Sequence, residues 1–257
     1  MGRKQSVVPL KGPEEIERMR RAGRIVAQVL AELQRHVRPG VTTRQLDKMA
    51  EELLRDLGGV PSFKGYYGYP ATICASINEE VVHGIPGPRA LKPGDIVTID
   101  VGAIWEGYQG DAAITVPVGE VEPRVQALLE ATQKALAEGI SAARAGRPLG
   151  AISHAIESVA KRAGLAVVRE YGGHGIGQKM HEPPNVPNWG PAHRGIRLLA
   201  GMTLALEPML TLCKAQTRVL DDRWTVVTVD GCPAAHFEHT IAITEDGAEI
   251  LTRLLEE

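Results

Sequence analysis

Asp95-Ile-Val-Thr-Ile-Asp-Val-Gly102 is a β-branched, apolar run that ends in a carboxylate, Asp100. Such a run is typical of a buried strand. A turn through residues 106–110 with two glycines follows, and Asp111 begins the next strand-like run. An antiparallel hairpin closed by this turn would bring the two carboxylates to nearly facing positions on neighbouring strands. The stretch therefore predicts a sheet that carries acidic side chains where apolar ones are expected.

Helices flank the predicted strands. The first begins at Pro13, a residue suited to the first helical turn, and ends before Arg38. The second begins at Thr42, which forms a capping box with Gln45, and ends at Gly58. Two further helices are predicted at about 122–143 and 148–163, and strands at 72–77, 95–101, 111–118, 203–212, 224–229 and 237–244.

The helix pair occurs twice in the chain. An offset of 106 residues aligns Arg38 with Arg144, Gly40 with Gly146, and Gly58 with Gly164. This offset is too long for a solenoid repeat and indicates two related halves, each with two helices followed by strands. The pattern predicts an α+β fold in which helices cover one face of a curved antiparallel sheet. We expect residues 1–12 to form a short N-terminal lead and residues 13–257 a single domain.

Composition excludes several classes of protein. The chain has 257 residues, 44% of them hydrophobic, and a net charge of -2 without long runs of one sign, which argues against a polybasic nucleic-acid binder. No apolar stretch approaches the roughly 18 residues of a membrane span, and no signal peptide is evident. A cytoplasmic protein is expected. Its three cysteines, Cys74, Cys213 and Cys232, are odd in number and far apart, and they predict no disulfide framework.

Two more carboxylates interrupt apolar strands, Glu207 in the run 203–212 and Glu238 at the start of the last strand. A buried ionised carboxylate costs several kcal/mol unless it is paired, and neither Lys nor Arg stands beside any of the four. His174 adds a nitrogen ligand in a glycine-rich segment. Four carboxylates and one imidazole suit two divalent cations, which together activate water for hydrolysis.

Each acidic residue taken alone also has an ordinary structural interpretation. An Asp at a strand end is commonly a turn former, and Glu207 before Pro208 fits an edge strand. Their joint placement at the ends of apolar strands favours the metal site. His239, next to Glu238, should point to the opposite face of its strand and is expected to be structural or to support a metal ligand without binding the metal.

Seven motifs closely resemble type I methionine aminopeptidases of the pita-bread fold. They occur in the family order, with family-like spacings, over about residues 10–253. The motifs are Asn78-Glu-Glu-Val-Val-His-Gly-Ile-Pro86, Asp100-Val-Gly102, Gly110-Asp111, Gly173-His-Gly-Ile-Gly177, Met180-His-Glu-Pro-Pro184, Leu206-Glu-Pro-Met209 and Phe237-Glu-His-Thr240.

The resemblance implies a role for each matching residue. The dinuclear metal ligands would be Asp100, Asp111, His174, Glu207 and Glu238, with Asp111 and Glu238 among the shared ligands. Glu207 would handle the proton of the attacking water, and His83 and His181 would contact the substrate near the scissile bond. Without the resemblance, both histidines would be interpreted as ordinary loop residues. The metal could be cobalt, manganese, iron or zinc, because the sequence does not distinguish them.

The resemblance also implies a pocket for a methionine side chain. An apolar, aromatic and sulfur lining suits an unbranched thioether. Its matching positions are Tyr66, Tyr69, Cys74, Met180 and Trp224, with Phe63 nearby. Two features depart from the family: Phe63, where some members have cysteine, and Ala234-Ala235-His236, where many have Ser-Ala-Gln. Both affect the expected shape of the pocket.

The expected function is removal of the initiator methionine from nascent polypeptides with a small second residue. Nascent N-termini are the expected partner, the ribosome is a further candidate, and we expect a monomer without nucleic-acid or membrane partners. Two alternatives remain: a proline-specific dipeptidase or aminopeptidase, which generally carries a large N-terminal domain, and a metal-free binding protein on the same fold. A type II methionine aminopeptidase would need an insertion between His181 and Glu207, where only 25 positions lie.

Overall fold

The computed structural model describes residues 7–253, so the first six residues of the predicted lead lie outside it. Its helices are α1 (Pro13–His36), α2 (Thr43–Asp56), α3 (Pro123–Ala142) and α4 (Gly150–Arg162). Its strands are β1 (Val60–Pro61), β2 (Cys74–Ile77), β3 (Glu80–Val82), β4 (Ile96–Trp105), β5 (Tyr108–Pro117), β6 (Ala166–Val167), β7 (Gly172–Gly175), β8 (Glu182–Pro187), β9 (Thr203–Leu206), β10 (Met209–Thr211), β11 (Thr217–Val219), β12 (Val226–Thr228), β13 (Ala234–His236), β14 (Glu238–Ile243) and β15 (Ala248–Ile250). No helix within residues 7–253 is both long enough and apolar enough to cross a membrane.

All four predicted helices form, and their ends follow local signals. Pro13 occupies the first turn of α1, and the capping box of α2 is present, with Gln45 N donating to Thr42 Oγ1 at 3.2 Å and Thr42 N donating to Gln45 Oε1 at 2.8 Å. The internal repeat is also confirmed. A shift of 106 residues carries the end of α1 onto the end of α3 and the end of α2 onto the end of α4.

Each helix pair packs on the strands of its own half. Helices α1 and α2 share one apolar core with β2, β4 and β5, through residues such as Leu33, Leu54 and Ile99. Helices α3 and α4 share a second core with β9 and β14. The two halves join where β5 pairs with β14, so the described sheet has the order β1-β4-β5-β14-β9-β7-β8, with antiparallel neighbours.

The predicted β4–β5 hairpin forms, and the structure defines its register. Strand β5 begins at Tyr108 rather than at Asp111, because pairing continues to the tip of the hairpin at Trp105 and Tyr108. Asp100 lies opposite Ala113, while Asp111 lies opposite Gly102. The two carboxylates are therefore diagonal neighbours on one face of the sheet, not directly opposed.

The predicted strand 203–212 is divided into β9 and β10 at Glu207-Pro208. Proline has no N–H to donate to a strand ladder, and β10 leaves the main sheet to pair with β13 and β6. Glu207 therefore sits at the break where the chain passes from one sheet to the other.

The prediction that the cysteines form no disulfide is wrong for one pair. Cys213 and Cys232 are bonded, with Cα atoms 6.0 Å apart, while Cys74 is free and buried. The pairing of Thr211 with Ala234 between β10 and β13 explains this, because continuing that register places the two cysteines opposite each other. Sequence separation alone does not reveal such a cross-strand neighbour.

Candidate active site

A cavity of about 280 Å³ opens over the face of the sheet that carries the carboxylates. It brings together every site residue predicted from the sequence. Its lining includes Tyr66, Tyr69, Cys74, His83, Asp100, Asp111, His174, Met180, His181, Glu207, Trp224 and Glu238.

The four carboxylates come from consecutive elements across the junction of the two halves. Cys74, Asp100, Ala113 and Glu238 form one cross-strand row through β2, β4, β5 and β14. Asp111 lies two residues before Ala113 on β5. Its backbone is held by Thr240, whose hydroxyl accepts from Asp111 N at 3.0 Å and donates to Asp111 O at 2.8 Å. Regular strand pairing therefore fixes most of the acidic cluster.

Several oxygens of this cluster lack any hydrogen-bond partner among residues 7–253. They are Asp100 Oδ1, Asp111 Oδ1 and Glu238 Oε1, all buried. Unpaired buried carboxylate oxygens are costly, and the described lining of the cavity contains neither Lys nor Arg to neutralise them. Divalent cations would supply the missing counter-charge.

His174 reaches the cluster from β7, which approaches β9 very closely. A Cβ added at the neighbouring Gly173 would lie 2.3 Å from the carbonyl oxygen of Ala205, so only glycine permits this approach. The His174 Nδ1–H donates to Gly175 O at 2.9 Å, which leaves Nε2 as a free lone pair 3.7 Å from Glu207 Oε1. Ligand atoms of Asp111, His174 and Glu238 all lie within 4.8 Å of one another, a spacing that one ion can span.

Burial and like charge together shift the titration of the cluster. Burial raises the pKa of Asp100 to about 7, and burial followed by the charge of Asp100 raises that of Glu207 to about 8. Asp111 and Glu238 have pKa values well above the ordinary range for the same reasons, burial being the larger. Burial lowers the pKa of His174 to about 4, which keeps its imidazole neutral as a ligand requires.

His83 and His181 stand at the rim of the cluster. The His181 ring lies 4.2 Å from that of His174, and its Nδ1 is 2.8 Å from the Tyr66 hydroxyl. His83 has a left-handed backbone, with φ of 61°, and the next residue, Gly84, packs so tightly on β2 that a Cβ would lie 2.4 Å from Ala75 O. Both rings therefore project into the cavity from constrained loops.

The segment that carries His181 is held from the N-terminal lead. Lys11 is buried, and its Nζ lies 2.5 Å from Oε2 of Glu182, the residue after His181. Glu182 Oε1 also accepts from Lys179 N at 3.1 Å. Part of the predicted lead is therefore packed against a candidate site loop.

The other end of the cavity is apolar. Phe63, Cys74 and Met180 belong to one buried cluster there, and the Tyr69 and Trp224 rings meet edge to face at 5.0 Å. The Tyr69 hydroxyl is turned away, donating to the backbone carbonyls of Ile73 and Gly84 at 3.0 and 2.9 Å. Tyr69 therefore offers its ring rather than its hydroxyl to a ligand.

A metal-binding cluster with an adjoining apolar pocket agrees with what the sequence is similar to. The model of metallopeptidase family M24 matches residues 17–245. The chain belongs to the M24 metallopeptidase family. It is 52% identical to methionine aminopeptidase 1 from Bacillus subtilis, over 95% of this chain and 98% of that protein. It is 49% identical to methionine aminopeptidase 1 from Mycobacterium tuberculosis, over 97% of both.

Solved structures give the same family and confirm the pita-bread fold. The methionine aminopeptidase of Thermotoga maritima superposes with a TM-score of 0.95 at 45% identity, covering 96% of this chain and 100% of that one. The prolidase of Pyrococcus furiosus, 22% identical, superposes with a TM-score of 0.77 over 96% of this chain and 66% of its own, and shares the fold alone. Membership of a metallopeptidase family also implies divalent metal ions.

Several residues of this M24 chain contribute to the site without having been predicted there. The cavity lining also includes Tyr67, Val82, Tyr171, Gly172 and Met209. Tyr171 and Gly172 directly precede the His174 motif, and Met209 ends the Glu207 motif, which is the signal that could have indicated them. His236 lies behind the carboxylates, 1% exposed, and the sequence marked it only as a departure from the family. His239 points away as expected, with Nδ1 2.8 Å from Thr252 Oγ1.

The raised carboxyl pKa values predict how the stability of the metal-free M24 chain depends on pH. A carboxyl whose pKa is higher in the folded than in the unfolded chain binds more protons when folded, so stability falls as pH rises towards the folded value. Between pH 7 and 8.5 the relevant group is Glu207, whose folded pKa is about 8, because histidines that are neutral when buried contribute only below about pH 6.5. We expect the Tm of chelator-treated protein to fall over this interval.

Scanning calorimetry at matched ionic strength measures how Tm changes with pH. The Tm of Glu207→Gln, which removes this titrating group, should fall less than that of wild type, while the Tm of Glu138→Gln, on the exposed surface of α3, should fall as in wild type. A Tm that stays level or rises in the metal-free wild type would contradict the burial of these carboxyls.

Proposed function

We propose that this chain is a dinuclear metal-dependent aminopeptidase that hydrolytically removes an N-terminal methionine from polypeptides with a small second residue. The observation that carries the proposal is the cavity itself. One end holds four carboxylates and a neutral imidazole, and the other end holds an aromatic and sulfur lining suited to a thioether. The relatives at 45–52% identity named as methionine aminopeptidases support the same assignment.

The donor atoms fit divalent cations. Asp100, Asp111, His174, Glu207 and Glu238 would hold two ions, and the family resemblance implies that Asp111 and Glu238 are among the shared ligands. Two divalent ions at such a site supply charge that activates water and polarises the scissile carbonyl. Oxygen-rich sites suit manganese or iron, and cobalt or zinc would also bind.

The remaining residues have positions suited to proton transfer and charge stabilisation. Glu207 lies at the cavity surface, with its side chain 13% exposed, and its raised pKa suits a group that accepts a proton from the attacking water and passes it on. His83 and His181 face the space above the carboxylates and could donate to the developing oxyanion or the leaving amine. We assign both to substrate contact, together with Tyr66, Tyr69, Cys74, Met180 and Trp224.

The proposal extends to the substrate and its setting. Nascent polypeptide N-termini in the cytoplasm are the proposed substrate, and a monomer is the proposed state, with the ribosome as a candidate partner. Light scattering of the purified chain and co-sedimentation with ribosomes test these two statements.

A metal-reconstitution assay tests the proposed activity. Metal-stripped protein is loaded with Mn²⁺, Co²⁺, Fe²⁺ or Zn²⁺ and given Met-Gly, Met-Leu and Xaa-Pro peptides. We expect release of methionine from Met-Gly, much slower release from Met-Leu, and negligible cleavage of Xaa-Pro. Preferential cleavage of Xaa-Pro would favour a prolidase-like activity. Metal binding without hydrolysis of any peptide would favour a binding protein on the same fold.

The pocket proposal predicts a separable defect in Cys74→Trp. Cys74 is opposite Asp100 in the sheet and lines the apolar end, so an indole there should fill the thioether space. We expect KM for Met-Gly peptides to rise by at least about tenfold, or turnover to be lost, because a mismatch of one methylene in an apolar pocket already costs roughly 10–200-fold and an indole is far larger. Metal stoichiometry should stay at the wild-type value, and Cys74→Ala serves as the small control. A parallel loss of metal and activity would place Cys74 in the metal shell instead.

A further inference from the structure

His236 is a buried histidine near the carboxylates, and neither the proposed metal site nor the proposed substrate pocket assigns its ring a role. It ends β13, two residues before Glu238, and is 1% exposed. Its backbone is fixed by Thr115, whose hydroxyl accepts from His236 N at 2.9 Å and donates to His236 O at 2.7 Å. Neither ring nitrogen has a hydrogen-bond partner within the described residues. A rigidly held imidazole with two unpaired nitrogens requires an explanation.

The ring is directed at the carboxylate cluster from behind. Nε2 lies 3.5 Å from Glu238 Oε2 and 3.9 Å from Glu207 Oε2. The other oxygen of Glu207 faces His174 Nε2 at 3.7 Å. The Glu207 carboxylate is therefore placed between two imidazoles, one on each side.

Comparison of His236 with His174 distinguishes two possible roles for His236, a metal ligand and a hydrogen-bond donor. A metal-bound histidine normally donates its second ring N–H to an acceptor, as His174 does to Gly175 O. Were Nε2 of His236 a metal ligand, its Nδ1 would carry a proton without an acceptor among residues 7–253, and a buried N–H without a partner is rare. Were the proton on Nε2, only a lone pair at Nδ1 would be left unpaired.

We propose that His236 is a positioning residue that donates its Nε2–H to the carboxylates of Glu207 and Glu238 and so directs their remaining oxygens toward the metal ions. The inference rests on the proposed dinuclear function and adds to it a residue that orients two of the metal ligands. The present separations of 3.5 and 3.9 Å exceed hydrogen-bond length, so the proposal requires the carboxylates to rotate toward Nε2. His236 then connects the two glutamates, which reach the site from different segments of the chain.

Two variants distinguish the effect of the donated hydrogen bond from the effect of side-chain volume. His236→Gln keeps a side-chain N–H, whereas His236→Leu keeps an apolar side chain without a donor. Loss of a hydrogen bond behind metal ligands typically costs 10–100-fold in metal affinity. Calorimetric titration of metal-stripped protein with Mn²⁺ should show that loss in His236→Leu and a smaller one in His236→Gln, with wild-type stoichiometry in both at saturation. His154→Leu, on the exposed face of α4, should bind as wild type.

Long-range ¹H–¹⁵N correlation spectra of wild type test the tautomer directly and do not depend on a variant folding. We expect His236 to carry its proton on Nε2 in the metal-free and the Zn²⁺-loaded protein. A metal-bound Nε2, a proton on Nδ1, or wild-type affinity in His236→Leu would overturn the inference while leaving the dinuclear site intact. Absence of metal binding in wild type would overturn the proposed function instead, and the metal-free spectrum would still decide the tautomer.

Discussion

Glu207→Gln is expected to lower kcat for Met-Gly peptides by about 10²- to 10⁴-fold while leaving the fold intact, since that is the usual contribution of a positioned proton-transfer group. Glutamine has nearly the shape of glutamate but neither carries the negative charge nor accepts the proton. The backbone at this position is held independently, because Asn188 Nδ2 donates to Glu207 O at 2.9 Å. The defect should therefore appear in turnover and not in folding.

Steady-state kinetics and circular dichroism on the metal-loaded variant measure this effect. Glu138→Gln makes the same chemical change on the exposed surface of α3 and is the matched control. Activity of Glu207→Gln within about tenfold of wild type would remove Glu207 from the proposed proton transfer.

Asp111→Ala is expected to abolish activity and most of the thermal stabilisation that metal gives. In wild type, a ligand held at 100 times its Kd adds about 2.7 kcal/mol, and each kcal/mol shifts Tm by roughly 2–4 °C for a chain of this size. Adding Mn²⁺ or Co²⁺ to chelator-stripped wild type should therefore raise Tm by several degrees. Asp111 is 4% exposed and central to the donor set, so its removal should cancel that rise.

Differential scanning fluorimetry with and without metal provides the comparison, with Asp56→Ala at the exposed end of α2 as the control. The two hydrogen bonds between the Thr240 hydroxyl and the Asp111 backbone should keep β5 in place in the variant. Two results would contradict the dinuclear site: no metal-dependent rise in wild type, or an equal rise in Asp111→Ala with activity retained.

The helices were predictable because their signals are local. Pro13 in the first turn of α1 and the reciprocal Thr42–Gln45 capping bonds act within one turn of the chain, so neighbouring residues suffice to define those ends. The repeat at an offset of 106 residues also made the division of the chain into two halves predictable, because both helix pairs bury the same kind of apolar face. The β-branched runs similarly predicted where strands occur, but they did not predict the register in which those strands pair. The diagonal placement of Asp100 and Asp111 depends on how far pairing continues to the hairpin tip at Tyr108.

The sequence by itself determined which residues are chemically out of place: four carboxylates and His174 within apolar strands, where burial without counter-charge is costly. Only the tertiary structure decided which distant residues share their environment. The bond between Cys213 and Cys232 follows from the pairing of β10 with β13, and the burial of Lys11 follows from its contact with Glu182. His236 faces Glu207 because the chain changes sheets at Pro208 and returns through β13. Local sequence encodes propensity and polarity, but contacts between segments far apart in the chain exist only once the strands have paired.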